Sequence, residues 1–202
     1  MRNLWVMVLW AMLAAILSGC NSTNSYVDPT FGKTTYNDIP RRAAPYKWKI
    51  DVEFQRNGKH LSGVDNELRA HVEQVIRASG MALPDGGNDA PTLKVVVNNL
   101  ASLAGANAKA FGSGLTFGLV GNTVTDAYEM EVVLTSSSGA IKETGYKHAI
   151  YTTRGNASAP MVSMESVSLT TAFGKVVEQM LLNALNDLSK NMKEVSPARA
   201  SK

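Results

Sequence analysis

The chain has 202 residues, is 45% hydrophobic and 18% charged, and carries a formal charge of +3. That composition belongs to a globular protein rather than a disordered one, and so small a basic excess, with no basic stripe, gives no reason to expect a nucleic-acid partner. With one cysteine, Cys20, an internal disulfide is excluded.

In chain order, a short positive lead, Met1-Arg2-Asn3, precedes the apolar run Leu4 to Leu17. That run falls short of the roughly 20 apolar residues a membrane-crossing helix needs. It fits the apolar region of a secretory signal peptide over residues 1–19, ending on the small residues Ser18 and Gly19. The other readings are a buried N-terminal helix and a free thiol at Cys20. Leu17-Ser18-Gly19-Cys20 resembles the bacterial lipobox, whose cysteine becomes the first mature residue and carries acyl chains. The resemblance implies lipid attachment at Cys20, with the two or three chains that stable anchoring requires. Asn21 follows, not Asp; by resemblance to enterobacterial sorting this implies the outer membrane, with the domain facing the periplasm. Removing residues 1–19 takes away one of the 20 basic residues, Arg2, and none of the 17 acidic ones, leaving a formal +2.

Residues 20–45 read as the lipidated cysteine and a flexible tether: polar, with Pro29, Pro40 and Pro45 and no sustained period. Such a tether reaches roughly 80 Å fully extended. A single domain is expected over 46–190. It opens with strict alternation from Tyr46 to Phe54, which predicts a half-buried strand. Val64, Leu68, Val72, Val75 and Ile76, with Gly80 behind them, predict a helix over 64–79. The β-branched run 92–100 predicts an interior strand, and 126–153 a hairpin turning at Ser138-Gly139. The stripe from Leu169 to Leu188 predicts a long helix over about 165–190. Residues 191–202 read as a disordered basic tail, with Lys193, Arg199 and Lys202 against Glu194. The fold class is α+β, a mostly antiparallel sheet of four or five strands with two amphipathic helices on one face.

Residues 108–122, AKAFGSGLTFGLVGN, stand apart. Phe111, Leu115, Phe117 and Leu119 fall on one side of an extended backbone, interleaved with Gly112, Gly114, Gly118 and Gly121. Two readings stay open: a glycine-bearing strand or loop buried under a helix, or an apolar flap that contacts a membrane or a partner. The glycine spacing matches neither a dinucleotide-binding fingerprint nor a P-loop. No metal site or cofactor is expected, because His60, His71 and His148 show no ligand spacing. The reading for His71 is a surface histidine, and for His148 a satisfied, partly buried one. No nucleophile–base pattern singles out a catalytic residue, and the chain is expected not to be an enzyme.

The lipobox, the tether, the order strand, helix, strand, hairpin, helix, and the stretch GLTFGLVGNTVTDAYEMEVVL together resemble small Gram-negative outer-membrane lipoproteins. Among these are the curli secretion lipoprotein and the Pel exopolysaccharide export lipoprotein. Such relatives often have a proline after the GL-V element, where this chain has Gly121-Asn122. The resemblance implies a structural or interaction component of an envelope assembly or export system, with protein partners and homo-oligomers among its consequences. A lipid- or glycan-binding periplasmic module is the alternative, and it requires an apolar pocket between helices and sheet.

Overall fold

The structure is a computed structural model and describes residues 23–100, 118–120, 123–155, 157–161 and 164–195. Nine strands and two α-helices follow in chain order. They are β1 (Thr23–Val27), β2 (Tyr46–Lys47), β3 (Lys49–Arg56), β4 (Lys59–His60), α1 (Asp65–Ser79), β5 (Ala82–Leu83), β6 (Thr92–Leu100), β7 (Gly118–Val120), β8 (Thr123–Ser136), β9 (Gly139–Arg154) and α2 (Leu169–Val195). The main sheet runs β1-β9-β8-β6-β3-β4, with β7 also pairing β8; β2 and β5 form a separate two-stranded sheet.

The main sheet is mixed. β3 and β6 pair in parallel, from Lys49 opposite Thr92 to Arg56 opposite Asn99, and every other pair in it is antiparallel. A parallel pair needs a crossover, and α1 supplies it. The expected four or five strands therefore become six in the main order plus β7. The extra ones are too short or too polar to show a period.

Alternation decides which face is covered. Ile50, Val52 and Phe54 of β3, Leu93, Val95 and Val97 of β6, and Met130, Val132 and Leu134 of β8 form one buried set. Leu68, Val72, Val75 and Ile76 of α1 close over them, as do Phe173, Val176, Val177, Met180, Leu181, Leu185 and Leu188 of α2. The other face carries cross-strand ion pairs, Lys94 to Glu53 at 2.9 Å and Lys142 to Glu131 at 2.8 Å. Gly80 ends α1 in the left-handed conformation, φ 68°, where glycine has no steric penalty. Ser168 caps α2 by accepting from the Thr171 N–H at 3.1 Å.

Three expectations change. Residues 20–45 are not a free tether: β1 pairs with β9 from Thr23 opposite Arg154 to Val27 opposite Ile150. Ser25 also exchanges two backbone hydrogen bonds with Val167, at 3.1 and 2.9 Å. Asp28 then accepts from the Thr30 N–H, the Thr30 hydroxyl and the Tyr151 hydroxyl, at 2.9, 2.6 and 2.9 Å, and Ile39 enters the core. Polar composition hid this, because a short edge strand is held by backbone and side-chain hydrogen bonds rather than by an apolar stripe. The domain thus begins at or before Thr23 and not at Tyr46. At the other end α2 runs on to Val195, so residues 191–195 are helix and not tail; residues 196–202 lie outside the described residues.

Candidate functional site

The inward series of three neighbouring strands turns polar at the same end of the sheet. Phe54 is followed on its face by Arg56, Val97 by Asn99, and Tyr128 is preceded by Asp126. Pairing sets Arg56 opposite Asn99, Asn99 opposite Tyr128, and Tyr128 opposite His148. A polar row therefore crosses four strands where the aliphatic core stops.

Over that row lies a cleft of about 400 Å³, within the roughly 300–1,000 Å³ range of small-ligand sites. Phe54, Tyr128 and Phe173 line its floor. Their rings pack edge to face and tilted, with Phe173 at 5.7 Å from Phe54 and 5.9 Å from Tyr128. The walls come from the approach to α1, through Leu61, Val64 and Glu67, and from the first turn of α2, through Leu169 and Thr170. The rim is aliphatic: Leu61 is 43% exposed and Leu169 53% exposed.

Polar groups collect at one side. Asn99, itself buried, donates through Nδ2 to Asp126 Oδ1 at 3.4 Å. Burial, and then the Asp126 carboxylate, push the Tyr128 hydroxyl well above its usual range, so it stays protonated; Asn99 and Arg56 oppose the shift. The lining charges are Arg56, Glu67 and Asp126. Beside the mouth, Asp65 accepts from the Phe54 N–H at 2.8 Å and meets His60 Nε2 at 2.7 Å. Burial raises the Asp65 carboxyl, and these two bonds together hold it below the usual carboxylate range. The pair ties β4 and β3 to the start of α1. That geometry presents an apolar floor with hydrogen-bonding groups at one edge.

None of the three histidines lines the cleft. His148 is fully buried. Its Nδ1 accepts from the Ala149 N–H at 2.9 Å, and its Nε2 contacts Gln179 Oε1; with the proton on Nε2 both bonds are satisfied. Burial lowers its pKa, against the opposing effect of Gln179, Ala149 and Asp28. His71 departs from its expected surface setting. Its ring stands 5.9 Å from Phe173, and a Cβ placed on Gly174 of α2 would come within 2.7 Å of it. Among the described residues, no three His, Cys, Asp or Glu side chains are grouped to hold a metal ion, and no helix is long and apolar enough to cross a membrane.

Cys20, Phe111, Leu115 and Phe117 lie outside the described residues; Leu119 lies in β7, paired with Val124. β1 covers the outer edge of β9 from Ile150 to Arg154. Arg56, Asn99 and Asp126 were not singled out from sequence, although a polar residue continuing each inward series was a usable signal. Leu61, in a loop between short elements, offered none.

No family model matches the sequence, and no curated protein does. Solved structures with a similar arrangement include the rare lipoprotein B of Shewanella oneidensis, at 12% identity and TM-score 0.34, covering 74% of this chain and 95% of that one. A PelC dodecamer of Paraburkholderia phytofirmans matches at 13% identity and TM-score 0.37, covering 78% and 95%. A putative neuraminyllactose-binding hemagglutinin homolog of Helicobacter pylori matches at 11% identity and TM-score 0.34, covering 83% and 92%.

Proposed function

We propose that this chain is an outer-membrane lipoprotein, anchored through acyl chains on Cys20 and facing the periplasm. In this reading it acts without catalysis, as a structural or interaction component of an envelope assembly or export system. The observation that carries the reading is the sequence Leu17-Ser18-Gly19-Cys20 behind an apolar leader. The placement of β1 supports it: the sheet begins three residues after Cys20, where a mature N-terminus held at a membrane would enter the domain. Phe111, Leu115, Phe117 and Leu119 are the proposed membrane or partner contact, and assembly with further copies of the chain belongs to the same reading. β6 ends at Leu100, opposite Ala127, and β7 begins at Gly118, opposite Thr125. Both ends of an apolar stretch thus meet at one place on the fold.

Two variants test the proposal. Cys20→Ala is expected to release the protein from membranes and to end incorporation of labelled palmitate; unchanged membrane association with normal labelling contradicts the anchor. Phe117→Ser with Leu119→Ser is expected to remove co-purifying envelope proteins from the detergent-extracted complex. An unchanged set of partners around a folded variant contradicts the contact.

The cleft favours the second reading, a binding module, and within it lipid over glycan. Sugars bind on exposed aromatic faces, whereas Phe54, Tyr128 and Phe173 are each at most 7% exposed. The hydrophobic side chains the cleft exposes, Leu61 and Leu169, are aliphatic.

A further inference from the structure

We infer that the cleft receives an acyl chain of a membrane lipid, and that the domain stands end-on with the mouth of the cleft toward the bilayer. This rests on the anchor proposed at Cys20.

Strand directions carry the orientation. Thr23, at the start of β1, is opposite Arg154, the last residue of β9. Thr123, at the start of β8, is opposite Thr153. Leu100, which ends β6, is opposite Ala127, and Arg56, which ends β3, is opposite Asn99. The ends of both parallel strands thus point toward the end of the sheet that holds the N-terminus of the described chain, and stop at the level of His148 and Ala149, about 20 Å short of Arg154 along β9. The cleft lies at that end, since Arg56, Asn99 and Asp126 line it together with the first turns of both helices. The β8–β9 turn, between Ser136 and Gly139, is at the far end, about 50 Å away along the 16 residues of β9.

The anchor sets the height. Two residues, Asn21 and Ser22, separate Cys20 from Thr23, a reach of at most about 10 Å. Across the sheet, β1 and β3 are four strand spacings apart, about 20 Å. A domain held on so short a leash keeps this end of the sheet toward the head groups, with the cleft about 20 Å along the strands from the level of Thr23.

Chemistry selects the occupant. Leu61 and Leu169 are the exposed large hydrophobics of the described surface, and both line this cleft. Aliphatic side chains left in water on either side of an apolar floor mark a contact with apolar matter. Covered ring faces leave no stacking platform for a sugar. Arg56 is outnumbered by Glu67 and Asp126, so the lining carries a formal −1 and offers no cationic cluster to an anionic head group; the chain of the lipid, and not its head, is what the site recognises.

The test uses the full-length protein, extracted from membranes and reconstituted in phosphatidylethanolamine–phosphatidylglycerol vesicles that contain a phospholipid with a photoactivatable diazirine on its acyl chain. After illumination, cross-linked lipid is expected on the peptides carrying Leu61 and Leu169 and not on the 136–139 turn. Leu61→Asp with Leu169→Asp changes two exposed side chains, and is expected to cut that cross-linking about tenfold, because a carboxylate in the path of an acyl chain must be desolvated. Palmitate on Cys20 with no cross-link at either leucine, or equal cross-linking at the 136–139 turn, overturns the inference and leaves the anchor standing. Absence of palmitate from wild-type Cys20 overturns the anchor and the inference together.

Discussion

Gly86 shows how little room some positions leave. Its N–H donates to the Trp48 carbonyl at 3.1 Å, and a Cβ there would lie 2.6 Å from the Lys49 nitrogen and the Trp48 carbonyl carbon. Backbone cannot step aside as a side chain can, so Gly86→Ala is expected to cost about 1–3 kcal/mol of stability, read from a denaturant melt. An unchanged midpoint contradicts that close approach. His148 gives a second prediction, in pH. Its folded-state pKa lies below the ordinary value of 6.5. Below pH 6.5 the unfolded chain therefore takes up a proton that the folded one resists, and stability falls as pH drops. The carboxylates held low, Asp38, Glu53 and Asp65, lose their contributions only in more acid solution, which separates the two windows. Between pH 7 and pH 5 the denaturation midpoint of the wild type is expected to fall further than that of His148→Gln. Equal slopes would show that this histidine is not held neutral.

At the scale of elements, β1 depends on polar bonds. Asp28→Ala removes an acceptor for three donors and leaves the Tyr151 hydroxyl unpartnered, a loss of about 1–3 kcal/mol. Amide hydrogen exchange is expected to speed up over Thr23–Val27 while β6 and β8 stay protected; uniform loss of protection would mean that β1 is not a separable unit. The long elements were legible in the sequence. The run 92–100 is β6, the stripe from Leu68 to Ile76 is α1, and the 126–153 hairpin is the core of β8 and β9, because a wide buried face writes a period into the chain. β1 writes none. Its residues are Thr, Asn, Ser, Tyr and Val, and its partner strand is more than a hundred residues away. The two-residue turn Asn57-Gly58, with φ values of 51° and 76°, is a hairpin signal of the Asn-Gly kind that joins β3 to β4. The strand after it is two residues long and leaves no pattern of its own. The cleft was hidden for a related reason: its polar row is assembled by register across β3, β6 and β8, which no single stretch of sequence states.

For the whole molecule, the structure shortens the distance between the proposed anchor and the domain. A free stretch of 25 residues would hold the domain at a variable height, in any orientation. With β1 in the sheet, only residues 20–22 separate the proposed lipid from the fold. Lengthening this leash with a Gly-Ser linker of about 20 residues inserted after Asn21 is expected to preserve membrane attachment and to raise the mean distance between a dye on the domain and the bilayer, measured by energy transfer. No change in distance would mean that the domain, and not the leash, sets the height.

The anchor itself is the claim on which the rest stands, and the intact mass of the mature protein extracted from membranes tests it most directly. The account predicts a chain that begins at Cys20, lacks residues 1–19, and carries the added mass of two or three acyl groups on that residue. A chain that retains Met1, or one whose Cys20 is unmodified, would contradict it.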